Sequence, residues 1–183
     1  RTAIKELTAA YRAVLKHAFI AAMGAMVVIG GASAGDAKTT LFVGIGETKD
    51  LAGVHDGYIT QEFEKKGNVA DVAGTLNVAA GSEFMNNKSD FIGGAILARK
   101  KSGVTLNIGE NTIFDNNMAK YDGGAIGNYQ AAIIGKNVIF RNNHANIGID
   151  GRELTADDNP IGGGAISMGV DATLDLTGGI FEN

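Results

Sequence analysis

The chain has 183 residues, among them 27 glycines, one proline, and no cysteine or tryptophan, with a formal net charge of −4. That length allows one ordinary domain, and the lack of cysteine excludes disulfide staples, thiol catalysis and thiolate metal sites. Residues 1–34 hold four basic residues and one acid, so the remainder carries 12 basic and 19 acidic residues; so acidic a body argues against nucleic acid as a partner, because phosphate requires a basic footprint.

Residues 1–34 read as an address. Lys5, Arg12 and Lys16 precede an uncharged apolar run, Ala18 to Gly31, and Ala32-Ser33-Ala34 follows. This order predicts a helical signal peptide over 1–34 that engages the inner-membrane export machinery and is cleaved between Ala34 and Gly35. The apolar run is short for a membrane span. Residues 35–68 read as a lead-in and N-terminal cap. Lys38 to Gly46 is rich in β-branched and aromatic residues and predicts a strand closed by glycines. Glu47 to Gln61 is mixed, with turn signals at Lys49-Asp50 and His55-Asp56-Gly57, and Glu62 to Gly67 is a charged loop.

From residue 69 onward two short motifs alternate. Phe84-Met85-Asn86-Asn87 is followed by Gly93-Gly94-Ala95-Ile96, Phe114-Asp115-Asn116-Asn117 by Gly123-Gly124-Ala125-Ile126, and Phe140-Arg141-Asn142-Asn143 by Gly163-Gly164-Ala165-Ile166; a further copy starts at Phe181. From Phe to the first Gly the spacing is nine residues in the first two copies and twenty-three in the third, an insertion spanning 147–161. A fixed repeat with one loop insertion is the sequence signature of a solenoid. Apolar runs Thr75–Val78, Val104–Ile108, Ala131–Ile134 and Thr173–Leu176 precede the Phe strands, each followed by a glycine. Units of 26 to 30 residues with three short strands predict an all-β parallel β-helix over 69–183, with like positions stacked about 4.8 Å apart. Phe84, Phe114, Phe140 and Phe181 then form one internal column, and Ile96, Ile126 and Ile166 another. The Asn pairs fall at corners, where asparagine tolerates a left-handed backbone and its amide can bond the next Asn along the stack. The Gly pairs fall where the chain turns tightly.

The alternation of GGAI with FxxN behind a leader resembles the polymorphic outer membrane proteins and related autotransporter passenger domains of Gram-negative bacteria. The matching positions are Gly93–Ile96, Gly123–Ile126 and Gly163–Ile166, with Phe84/Asn87, Phe114/Asn117 and Phe140/Asn143. The resemblance implies a right-handed parallel β-helix, exported and displayed on the cell surface or secreted, with a host-cell or neighbouring-cell ligand and a role in adhesion. The family's outer-membrane barrel has no counterpart in these 183 residues.

Two other classes compete: a polysaccharide-degrading enzyme on the same scaffold, and a purely structural spacer. An enzyme requires converging carboxylates. Asp90, Asp115 and Asp122 are candidates, but Asp115 takes a position held by Met85, Arg141 and Glu182 in the other copies, so no acidic row is kept. Asp150, Asp157 and Asp158 in the insertion lack the spacing of a known calcium loop. His17, His55 and His144 are too scattered for a metal site, and Gly44-Ile45-Gly46 lacks the rest of a nucleotide fingerprint. Arg99-Lys100-Lys101 reads as a solvated basic turn. No catalytic, cofactor or metal residue is assigned.

Overall fold

A computed structural model describes residues 27–31, 40–60, 69–147, 151–153, 155 and 163–182. The expected leader lies outside the described residues except for 27–31, as do the Ala34–Gly35 cleavage site, the charged loop at 62–67, and Asp150, Asp157 and Asp158.

Every described element is a β-strand, and all named strand pairs are parallel. The first coil contains β2 (Leu41–Val43), β3 (Thr48–Asp56) and β4 (Ile59–Thr60); a preceding strand, β1 (Val27–Gly31), pairs with β3. The second coil contains β5 (Ala70–Val72), β6 (Thr75–Val78), β7 (Glu83–Met85) and β8 (Lys88–Ser89). The third contains β9 (Ile96–Ala98), β10 (Thr105–Ile108), β11 (Ile113–Asp115) and β12 (Met118–Ala119). The fourth contains β13 (Ile126–Asn128), β14 (Ala131–Ile134), β15 (Ile139–Arg141) and β16 (His144–Ala145). Above it lie β17 (Ile166–Met168), β18 (Thr173–Leu176) and β19 (Ile180–Glu182).

Like strands of successive coils hydrogen-bond into sheets. One runs β17-β13-β9-β5-β2, a second β16-β12-β8-β4, and the largest β18-β14-β10-β6-β3-β7-β11-β15-β19, its two wings joined by β3. Register is kept residue for residue. Leu76, Leu106, Ala132 and Leu174 form one column, and Ile96, Ile126 and Ile166 another. Strand alternation explains the choice: in Thr-Leu-Asn-Val the second and fourth residues point inward and are buried, while the first and third are half-exposed. Phe84, Phe114, Phe140 and Phe181 stack with ring centroids 4.8 to 5.0 Å apart and planes within 8°. Each enclosed Phe ring contributes about 1.5–3 kcal/mol by burial, and the coil spacing of a parallel sheet sets the ring spacing.

The first coil departs from the sequence reading. The turn signals at Lys49-Asp50 and His55-Asp56 fall inside a single nine-residue strand, β3. Its first half pairs with β6 and its second with β7, while Gly53, at φ 102°, adjusts the chain between them. Pairing to the coil above outweighs local turn propensity here, as is usual for strands. The two-residue strands β8, β12 and β16 are also absent from the sequence reading, being too short to leave a periodic signal.

Candidate interaction face

The FxxN motif is a device for joining coils. In each Asn pair the first residue has a left-handed backbone, at φ 55°, 53° and 52° for Asn86, Asn116 and Asn142. The second, Asn87, Asn117 or Asn143, turns inward and is buried. Asn117 Nδ2 donates to the Phe84 carbonyl in the coil below, and to Asn143 Oδ1 in the coil above, each at 2.9 Å. Asn143 Oδ1 also accepts from the Asn117 backbone N–H at 3.0 Å. Asn87 repeats the pattern, with its Nδ2 donating to the His55 carbonyl and to Asn117 Oδ1, and Asn143 Nδ2 donates to Phe114. Burying the Asn87 and Asn117 amides is tolerable because both donors and the acceptor of each are used.

GGAI serves the opposite corner. Gly93, Gly123 and Gly163 have φ of 71°, 62° and 95°, where a side chain is strained. A methyl at Gly94 or Gly124 would run into the glycine carbonyl of the next coil. Ala95 and Ala125 are buried, and Ile96 and Ile126 begin β9 and β13 inside the core; Ala165 and Ile166 are partly buried against that core. The motif positions are thus occupied by the scaffold itself.

The loops between the Asn corner and the Gly pair are different. Residues 90–93 and 120–123 fold over the outside of the β17-β13-β9-β5-β2 sheet. The Ile92 side chain lies where a side chain on Gly127 would be, which is why β9 and β13 are buried throughout. Ile92 and Asp122 are bridged in parallel between coils. On top sit Phe91 and Tyr121, half-buried and edge to face with centroids 6.0 Å apart. Lys120 Nζ is 5.2 Å from the Tyr121 ring centre and 3.6 Å from Asp90. Burial raises the Asp122 carboxyl above its ordinary range, partly offset by the Ser167 hydroxyl and the Gly123 N–H. Burial, with the Asp122 charge second, raises Tyr129. In the next coil the long insertion leaves from this same position, after β16 and before Gly163. Its foot is an antiparallel bridge between Ile147 and Glu153. One face of the stack therefore carries an aromatic pair with a lysine and an acid, and the root of the insertion.

The remaining candidates are dispersed. Asp115 is held by Arg141 at 2.9 Å and by Asn142 at 3.0 Å. Asp90 pairs with Lys120, and Asp122 caps its own turn at the Gly123 N–H, 3.0 Å away. His55 is in the Phe column and His144 is exposed on β16. Gly44 opens a turn closed by the Glu47 side chain at 2.8 Å. Arg99 is not simply solvated: it forks onto both oxygens of Asp71, a buried carboxylate 28 residues earlier, while Lys100 and Lys101 are exposed. Sequence reasoning missed that pair. Asp71 inside an otherwise apolar Ala70–Val72 strand was the available signal.

The description "Chlamydia polymorphic membrane protein (Chlamydia_PMP) repeat" belongs to the family model that matches residues 111–129, from the turn before β11 through Gly123–Ile126 and into β13. Curated proteins and solved structures give no match. The repeat of the polymorphic outer membrane proteins is thus present in this chain.

Proposed function

We propose that this chain is part of an exported, non-enzymatic surface passenger that presents its loop face to a ligand on a host or neighbouring cell. The observation that carries the reading is the division of labour in the repeat. Phe, Asn and Gly of each motif are consumed in stacking, whereas the equally long loops from Ser89 to Gly93 and from Ala119 to Gly123 differ in chemistry, and the 147–161 insertion differs in length as well, all leaving from one face. Variable loops on a rigid scaffold are where binding surfaces usually arise. The repeat match supports a surface location of the kind its family has, on the outer membrane of a Gram-negative cell.

Two measurements test this. Antibodies raised against residues 40–182 should label intact cells, and external protease should remove the signal without lysing them; label that appears only after permeabilisation refutes surface display. Beads coated with the chain should bind cultured host cells or cells of the producing species, and lose binding when Phe91, Lys120 and Tyr121 are changed together to alanine. Equal binding by the variant refutes this face as the contact, and failure of both proteins to bind leaves the spacer as the better account.

A further inference from the structure

We propose that the first coil is an acid-released cap: protonation of His55 detaches residues 40–60 from the stack and uncovers the edges of β6 and β7. His55 occupies the column that Phe84, Phe114, Phe140 and Phe181 fill above it. Its ring stacks on Phe84 at 5.0 Å, tilted by 25°, and is 1% exposed. Among the described residues neither ring nitrogen makes a well-formed hydrogen bond, and the Ala52 backbone offers only a weak one. A neutral imidazole tolerates this poorly; an imidazolium, with two N–H donors and a full charge, tolerates it far worse.

The groups set against the ring offer the charge little. Phe84 of β7 presents a π face, whose attraction for a cation is small beside the hydration lost. Tyr58, after β3, meets the ring edge-on at 6.2 Å, and burial raises its pKa, so it stays neutral. The charged residues on β3 itself are engaged elsewhere: Asp50 accepts from Asn77 at 2.9 Å. Asp56 accepts from Asn86 at 2.8 Å on the exposed side. Lys49, which replaces leucine in the Leu76 column, binds the Phe42 carbonyl at 2.6 Å and Glu47 at 3.0 Å. Among the described residues no carboxylate forms an ion pair with His55. Burial accordingly depresses its pKa to about 4, with the Ala52 backbone offsetting only part.

The sign follows. The neutral form is preferred in the fold, so His55 leaves the first coil at full stability above the ordinary histidine value of 6.5 and weakens it as pH falls from there towards about 4. The first coil is the one to go, because among the described residues it has a whole coil on one side and only the five-residue strand β1 on the other, whereas the inner coils are clasped by whole coils on both sides. The His55 carbonyl is also the acceptor for Asn87, so displacing this residue unties the lowest rung of the asparagine ladder.

Hydrogen exchange read by mass spectrometry on the whole chain, corrected for the intrinsic pH dependence of exchange, tests the proposal. At about pH 4, peptides within 41–60 should lose about tenfold or more of their protection relative to neutral pH, while peptides across β10 to β15 keep theirs. His55→Phe should keep the first coil protected. Retained protection in the wild-type chain, or equal loss in His55→Phe, overturns the proposal. If His55→Phe does not fold, the imidazole proton resonances of the wild-type chain decide: a histidine titrating near 4 together with opening of the first coil supports it, and titration near 6.5 overturns it.

Discussion

Asn117 donates a side-chain amide hydrogen to the carbonyl of Phe84, thirty-three residues earlier, at 2.9 Å. The two residues belong to successive copies of one motif, and the bond locks one coil onto the next. Replacing Asn117 with alanine would take its side-chain partner from the Phe84 carbonyl and from the Asn87 backbone N–H, and leave the Asn87 side-chain amide with the His55 carbonyl alone. A loss of about 2–4 kcal/mol is expected, since each orphaned buried group costs about 1–3. Asn116→Ala, at the half-buried left-handed neighbour, should cost only about 1–2 kcal/mol through backbone strain. Urea midpoints of the two variants check the order.

The Gly pairs give a matched comparison. At Gly124 a methyl collides with the backbone of Gly164 and His144; at Gly164 the nearest atom is the Asn143 carbonyl oxygen, at an ordinary 3.6 Å. Gly124→Ala should cost about 1–3 kcal/mol as the coils are forced apart. Gly164→Ala in this chain should change stability by less than about 0.5 kcal/mol. Thermal unfolding of both, side by side, reads the difference.

Arg99 and Asp71 form a pair in which the carboxylate is buried and the guanidinium partly exposed. Arg99→Ala should therefore cost about 3–5 kcal/mol, because it strands the charge of Asp71. The double change Arg99→Ala with Asp71→Ala should be less damaging than Arg99→Ala alone. A double-mutant cycle in urea measures this, and strict additivity would refute the coupling.

Asp122 has its carboxyl raised by burial above the ordinary aspartate value of 3.8. Such a group favours the fold while protonated and works against it as pH rises through its folded value. Asp122→Asn keeps an acceptor for the Gly123 N–H and removes the charge. It should stabilise the chain at neutral pH by less than about 1 kcal/mol, with the gain shrinking as pH falls towards 4. Stability curves of both proteins across that range check the sign.

Much of the architecture was legible in the sequence. Even spacing of FxxN and GGAI requires like residues to recur at a fixed place in each coil, and a stack of parallel coils places Phe on Phe, Asn on Asn and Ile on Ile. The exit point of the insertion follows from the same spacing, since it alone interrupts the interval between Asn143 and Gly163. The inward turn of the second Asn, and its bond to a Phe carbonyl, were not legible: both Asn residues of a pair look alike until the corner geometry gives one a left-handed backbone and buries the other.

What the sequence determined by itself is the repeat: the strand alternation, the turn residues and the identity of each column are local patterns copied at nearly constant intervals. The tertiary structure alone decided the first coil and the long-range pairs. Thr48–Asp56 carries local turn signals yet forms one strand, because β6 and β7 offer it a continuous hydrogen-bonding edge. His55 and Lys49 enter core columns that no spacing rule assigns to them, and Arg99 reaches Asp71 across a coil. Outside the repeated motifs, as in the first coil, which residue lies above which is set by hydrogen-bond register along the stack, and register exists only once the coils have been laid on one another.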